Sequence, residues 1–346
     1  MYEKFLILFS LLKSVTNNNC FHRYTTQPQY INIVTDTLIS VILKMKKRRY
    51  IDNRNWPEYN EGLVMRGYFY FNPEFLDKWN EEIKQMNSGK VGEPYLYPES
   101  MIKFLAVLHC RFDFRSLEGF MRWLSETHKY RFPIISYSQI SRRYNALKID
   151  FKILEEDMKD YLEVGVDGSG EKSTKRGGWM REKWKVKKGW IKVVIMGCKN
   201  KKDKKYIIDI RVGTETLNEK KVARDMIKEN HKNIGKFYAD GLHDCKDTFN
   251  LCEEYDIPTA IKIRKNASVQ THQSPRRKEE VLIYKSMPHK EWVREKNYGQ
   301  RWPITEGIYS GCKRIFGEYV SATKTKNMYH EVKVKFWAYN RLVICN

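Results

Sequence analysis

The segment LEVGVDGSG (162–170) decides the fold of this chain. Apolar residues lead into an acidic residue, Asp167, and then into a glycine turn, which predicts a buried strand that ends at the carboxylate. Two further apolar segments follow, WIKVVIMGC (190–198) and KYIIDIRVG (205–213), with the polar turn NKKDK between them. The three strands are therefore predicted to form an antiparallel meander.

The elements after the meander predict a mixed sheet with flanking helices. Strand and helix patterns alternate, and two helical patterns close the chain, over 217–230, 236–240, 245–255, 258–263, 305–316 and 328–342. Residues 264–297 are polar and basic and show no clear period. The order β-β-β-α-β-α-β followed by helices is the ribonuclease-H-like arrangement of the α/β class, and ligands bind such sheets at the carboxyl ends of the strands.

An all-helical region is predicted before the sheet. Helical patterns dominate 98–147, with a second helix beginning at Ser116 and a third at Ser136. The third helix carries Arg142 and Arg143 on a polar face, and arginines on an exposed helix contact phosphates and base edges in helix-turn-helix modules. The pattern indicates a helix-turn-helix-like DNA-binding region, although a basic helix is also a common solvated surface.

The chain divides into three segments on these patterns. We expect residues 1–54 to be a poorly ordered or non-native extension with a basic arm, residues 55–150 a helical DNA-binding domain, and residues 158–346 the catalytic domain. The apolar stretch FLILFSLL resembles the core of a signal peptide, but no clear cleavage site follows. Because Met45 opens the basic run MKKRRY, we hypothesise that translation begins there.

The charge of the chain predicts a polyanionic partner. It has 64 Lys+Arg against 42 Asp+Glu, a formal net charge of +22, and basic side chains release counterions when they meet phosphates. The segment 171–205 alone has 14 basic and 3 acidic residues, so we expect it to follow a DNA backbone. The seven cysteines form no C-x-x-C pair, and no apolar run has the length of a membrane span, which together favour a cytoplasmic protein.

Three acidic residues form the candidate site. Asp167 and Asp240 each follow a predicted strand and precede a glycine, and Glu306 begins a predicted helix. Converging carboxylates repel each other unless a cation lies between them, and Mg²⁺ or Mn²⁺ prefers such oxygen ligands. A single Asp-Gly pair is more often only a turn. Asp244 is interpreted as the cap of the next helix rather than as a ligand.

The segment YGQRWPITEGIYSGCKRIFGE (298–318) resembles the C-terminal motif of DDE transposases from bacterial and archaeal insertion sequences of the families-four-and-five group. That motif has two residues between Tyr and Arg, three between Arg and Glu, and six between Glu and Lys. Tyr298 and Arg301 have the expected spacing, and so do Glu306 and Lys313, whereas four residues separate Arg301 from Glu306. The resemblance extends over VGVDGSG and FYADGLHD, and covers roughly residues 55–342.

The resemblance implies a ribonuclease-H-like domain with two Mg²⁺ or Mn²⁺ ions. It implies that Asp167 bridges both ions and that Asp240 and Glu306 each complete one. It further implies terminal inverted repeats and target DNA as substrates, a homo-oligomeric synaptic complex, and strand cleavage followed by strand transfer. The residues that it assigns to phosphates are Arg301 and Lys313, and it leaves Tyr298 either a contact to a terminal nucleotide or a packing residue. Arg314, next to Lys313 on the predicted helix, is a further candidate for binding phosphate. Two alternatives stay open, namely a decayed DNA-binding remnant of such an enzyme and a general two-metal nuclease.

Overall fold

The structure, a computed structural model, describes residues 55–127, 132–151, 162–173, 177–185, 189–200, 203–270 and 272–344. The hypothesis on Met45, the expectation for residues 1–54 and part of the basic segment 171–205 lie outside the described residues. Pro57–Asn346 is one compact unit. Within the described residues, none of the helices combines the length and the apolar character needed to cross a membrane.

The described strands build one mixed sheet. They are β1 (Leu162–Ser173), β2 (Trp190–Lys199), β3 (Lys205–Thr214), β4 (Ile234–Ala239), β5 (Thr259–Ile261) and β6 (Tyr319–Val320). Their order in space is β3-β2-β1-β4-β5, and β6 pairs with the last residues of β1. The first three strands are antiparallel, while β4 and β5 run parallel to β1. The predicted ribonuclease-H-like mixed sheet is therefore confirmed.

The described helices fall into two groups, before and after the first strand. The first group is α1 (Trp56–Phe71), α2 (Trp79–Asn87), α3 (Glu99–His109), α4 (Phe114–Thr127) and α5 (Tyr137–Ala146). The second group is α6 (Gly177–Trp184), α7 (Glu219–Asn230), α8 (Lys246–Glu254), α9 (Pro275–Ser286), α10 (His289–Glu295), α11 (Arg301–Ile304), α12 (Glu306–Phe316) and α13 (Thr325–Ile344). Helices α1, α6, α9, α10 and α11 were not predicted from the sequence.

Each face of the sheet has its own hydrophobic core, because successive side chains of a strand point to opposite faces. On β2, Val193 and Ile195 join a core with α3, α4, α5, α12 and α13, whereas Val194 and Met196 join a core with α7 and α8. The predicted segment 55–150 thus packs on the same core as the C-terminal helices. The boundary between the two predicted domains stays a prediction.

Local capping explains where the N-terminal helices begin. Pro98 precedes α3 as predicted, and Ser136 caps α5 by accepting a hydrogen bond from the backbone N–H three residues on. The predicted start of α4 at Ser116 was wrong. Asp113 caps that helix, since its Oδ1 accepts from the N–H groups of Arg115 and Ser116 at 2.8 and 3.0 Å.

A pair of glycines lets the junction between α11 and α12 lie directly on the sheet. Gly165 of β1 and Gly197 of β2 are cross-strand partners. A Cβ atom at Gly197 would lie 1.9 Å from the carbonyl oxygen of Ile304, and one at Gly165 would lie 3.0 Å from the side chains of Ile304 and Thr305. The absence of side chains at this pair therefore sets how closely the start of α12 approaches β1.

Replacing Gly197 with alanine is expected to push this junction away from the sheet. The new methyl group meets backbone rather than the flexible end of a side chain, so we expect a loss of about 2 kcal/mol or more in the free energy of unfolding, measured in urea. Gly119→Ala in α4 is the matched control, because a Cβ there has no atom within 4 Å. The control is expected to be neutral or to stabilise by up to about 1 kcal/mol; equal effects of the two substitutions would contradict the argument.

Candidate active site

Asp167 lies in β1, and Asp240 directly follows β4, the strand that pairs with β1 in parallel. Parallel pairing of β1 with β4 runs to Gly165 opposite Tyr238, and the same register continued by two residues brings Asp167 opposite Asp240. The prediction that Asp167 ends its strand was wrong. The strand continues to Ser173 because β2 pairs with it well beyond Asp167.

Arg301 links Glu306 to Asp167. The Arg301 guanidinium lies 3.5 Å from Asp167 Oδ2 through Nη1 and 3.3 Å from Glu306 Oε1 through Nη2. The extra residue between Arg301 and Glu306 is accommodated at Thr305, which leaves helical geometry (φ −121°, ψ −79°) between α11 and α12. Arg301 therefore reaches both carboxylates in spite of the altered spacing.

Burial makes Asp167 costly to ionise. Desolvation raises the pKa of its carboxyl to about 6, and the nearby carboxylates of Glu306 and Glu219 push the pKa in the same direction. The N–H of Gly168 and the charge of Arg301 act in the opposite direction but do not cancel the rise. Asp167 thus lies in a negative environment that an additional cation would stabilise.

Two tyrosines hold the backbone around the carboxylates. Tyr298 donates to the carbonyl oxygen of Ala239 at 3.2 Å, directly before Asp240, and burial raises the pKa of its hydroxyl. The Tyr309 hydroxyl lies 2.9 Å from the carbonyl oxygen of Asp167 and 3.0 Å from that of Val193, and can donate to either. These contacts attach the C-terminal helices to both acid-bearing segments.

The predicted cations of α12 differ in their surroundings. Lys313 Nζ donates to Ser169 Oγ at 3.0 Å and to the carbonyl oxygen of Gly170 at 2.8 Å, so it lies along β1 beyond Asp167. Arg314 is exposed. Lys313 is consequently a fixed positive charge that contacts β1 just beyond Asp167, and Arg314 is open to solvent.

The predicted arginines of α5 lie outside the acidic cluster. Arg142 is exposed. Arg143 is partly buried, with its guanidinium 5.8 Å from the ring centre of Tyr95 and 5.3 Å from that of Tyr97. Of the two, Arg142 is the more accessible to a phosphate.

The carboxylates fit a divalent cation in their donor chemistry. Asp167, Asp240 and Glu306 supply hard oxygen donors, which Mg²⁺ and Mn²⁺ prefer. Over the described parts of the chain, no three His, Cys, Asp or Glu side chains already stand as a ready-made metal cage. Arg301 carries the positive charge between two of the carboxylates, a neutralising role that a cation could take over.

Sequence reasoning missed two residues beneath the site and assigned a third to the wrong role. Glu219 and the buried His243 lie close to the two aspartate-bearing segments. Asp244, expected to cap α8, instead forms a buried ion pair with Arg277 at 2.7 Å, while Cys245 takes the N-cap position. The sequence offered one signal for this cluster, the run of polar residues after Asp240, but the partners come from other elements.

The comparison with family models shows which protein family the chain belongs to. Two models described as a transposase DDE domain match the chain, over residues 64–176 and 159–341, and the second spans more than half of it. The chain belongs to the DDE transposase family. Among curated proteins, none matches it. The second match contains all three candidate acids of this transposase. The first match covers residues of its N-terminal helices together with β1.

The raised pKa of Asp167 predicts how the stability of the transposase depends on pH. The folded protein holds this proton more tightly than the unfolded chain, whose carboxyl has an ordinary pKa near 3.8, so the contribution of Asp167 to stability falls as pH rises from about 4 to about 6. Asp167→Asn is expected to stabilise the cation-free protein by up to about 3 kcal/mol at pH 7.5 and by much less at pH 4. Urea unfolding at the two pH values measures this, and an equal difference at both would contradict it.

Proposed function

We propose that this chain is the transposase of an insertion sequence, which cleaves DNA at terminal inverted repeats and joins the freed ends to target DNA. The observation that supports the proposal is that Arg301 contacts both Asp167 and Glu306, while Asp240 directly follows the strand that pairs with β1. In the two reactions, water first attacks the phosphodiester at the element end, and the freed 3′-hydroxyl then attacks the target strand.

The three acids would hold two Mg²⁺ or Mn²⁺ ions, which when bound activate water and stabilise the departing 3′ oxygen. The chain itself supplies rigidity, since Asp167 lies within a strand and its backbone is held by Tyr309. Glu306 is about half exposed at the start of α12, so it can adjust more freely than Asp167. The site thus combines one fixed acid with one adaptable acid.

Basic side chains around the acids would bind the substrate phosphates. Arg301 can exchange its carboxylate partners for a phosphate, for which its planar fork is well shaped. Lys313 offers a fixed charge along β1, and Arg314 an exposed one. Tyr298 would contact a terminal nucleotide, and Arg142 would bind DNA from α5.

The net charge of +22 supports a cytoplasmic, nucleoid-associated protein that meets DNA with the help of long-range attraction. We further propose that a homo-oligomer brings the two element ends together. This proposal rests on the family and on the need to hold two ends at once.

Removing single carboxyl charges is expected to abolish chemistry and to spare DNA binding. Asp167→Asn, Asp240→Asn and Glu306→Gln each keep the side-chain shape and remove one cation ligand. Cleavage and strand transfer on DNA with the element's own ends should fall below detection, while the Kd for that DNA changes little. Glu254→Gln, at an exposed acid of α8, is the matched control.

Retained cleavage in any one of the three variants would remove that residue from the site. A wild-type protein that binds the ends tightly but never cleaves with Mg²⁺ or Mn²⁺ would indicate a decayed remnant. Cleavage without preference for the ends would indicate a general nuclease.

The segment 171–205 is expected to contact the DNA backbone. Arg181, Lys183 and Lys185 are exposed on or next to α6, and their replacement by glutamine should reduce the slope of log K against log salt by up to about 0.9 for each phosphate that is no longer neutralised. The matched control replaces three exposed lysines on or after α7, at Lys221, Lys228 and Lys232. An unchanged slope in the first variant, or an equal change in the control, would refute the assignment.

A further inference from the structure

Glu219, an acidic residue other than Asp167, Asp240 and Glu306, supports β1 from the face opposite Glu306. Val164 and Val166 pack in the core under α7, and side chains alternate along a strand, so Gly168 faces α7 while Asp167 faces α12. Glu219, the first residue of α7, fills the space at Gly168: a Cβ atom there would lie 2.4 Å from its Oε2. The Glu219 carboxylate therefore lies against the backbone next to Asp167.

The same carboxylate contacts the segment that carries Asp240. His243 is fully buried in the turn that begins at Asp240, and its Nε2 lies 3.7 Å from Glu219 Oε1. Neither ring nitrogen of His243 has a hydrogen-bond partner within the described residues. Lys192 of β2 completes the group, with Nζ 3.0 Å from Glu219 Oε2. Burial acts to raise the pKa of Glu219, but His243 and Lys192 outweigh it and leave the pKa lowered.

The turn after Asp240 is held on its other side as well. Arg264 donates from Nε to the carbonyl oxygen of Gly241 at 2.6 Å and from Nη2 to that of Leu242 at 2.9 Å. The Asp240 carboxylate accepts from the N–H of Leu242 at 2.8 Å. The contact between His243 and Glu219 therefore links this turn to α7, on the side opposite Arg264.

We propose that Glu219 is a positioning residue, which fixes the distance between Asp167 and Asp240 by bracing Gly168 and His243 at the same time. This inference rests on the proposed function, since it matters only if the two aspartates act together. Its geometry shows a specific match in size: the Glu219 carboxylate occupies the position that a side chain at residue 168 would take, so a side chain there would displace the carboxylate from its contact with His243. An ion pair that served stability alone would need no such match in size between residues 168 and 219.

A matched pair of size changes tests the proposal. Glu219→Asp keeps the charge but withdraws the carboxylate by about 1.5 Å, and Gly168→Ala adds a methyl group where the carboxylate now lies. We expect each substitution alone to lower kcat by about tenfold or more with little change in KM for DNA, because small displacements at a reacting centre are costly. The double variant should be more active than either single variant.

Glu229→Asp is the matched control, since Glu229 lies on the same helix but pairs with Arg211 and is mostly exposed. It should leave kcat unchanged. Wild-type activity in Glu219→Asp, or losses that simply multiply in the double variant, would overturn the positioning role. If Gly168→Ala does not fold, Glu219→Gln is the second variant. It keeps the size of the side chain, so it is expected to lower kcat less than Glu219→Asp does, and an equal or larger loss would contradict the proposal.

Mn²⁺ binding to the DNA-free protein, measured by calorimetry, separates this inference from the proposed function. The Kd for Mn²⁺ is expected to rise in Glu219→Asp and in Gly168→Ala and to recover in the double variant, whether or not the protein cleaves DNA. If wild-type protein binds Mn²⁺ but does not cleave, the proposed function fails while this test still decides the role of Glu219. If Mn²⁺ binding is the same in all these proteins, the positioning role is refuted.

Discussion

The contact of the α11–α12 junction with the Gly165–Gly197 pair is the constraint on which the site depends. Glu306 is distant from Asp167 along the chain, and no strand carries it to the sheet. It comes close to Asp167 because a backbone carbonyl, that of Ile304, lies where a side chain on β2 would otherwise stand. A methyl group added here would force the backbone apart, because closely packed interiors have no free volume to accommodate it. The position of Glu306 thus depends on the absence of side chains at Gly165 and Gly197.

The site is also a local concentration of negative charge in a strongly basic chain. Asp167 is half-buried near the carboxylates of Glu306 and Glu219, and the Arg301 guanidinium and the N–H of Gly168 partly offset this negative charge. Such an arrangement lowers stability in exchange for a strong preference for cations, a common compromise at active sites. The net positive charge of the chain would attract a polyanion by long-range electrostatics, while the carboxylates at the site would favour a cation.

Much of this architecture could be predicted from the sequence because its signals are local. Short apolar segments bounded by turns predicted β1 to β5, and two acids followed by glycine predicted the positions of two candidate ligands. The extent of β1 was not predictable, because Asp167-Gly-Ser-Gly looks like a turn and only pairing with β2 keeps it extended. Helix α1 was missed because it buries no residue and has little apolar asymmetry. The role of Glu219 was hidden for a different reason: its partners belong to three other elements.

The altered spacing between Arg301 and Glu306 shows what a sequence motif represents. In an uninterrupted helix, residues five apart lie on different faces, because each residue advances by about 100°. Here the helix is broken at the fully buried Thr305, whose hydroxyl donates to the carbonyl oxygen of Arg301 at 2.9 Å and closes α11. The break turns Glu306 back towards the guanidinium. The spacing in the motif therefore represents a contact between the arginine and the glutamate. That contact is kept here with one more residue between them, because the backbone changes direction at Thr305.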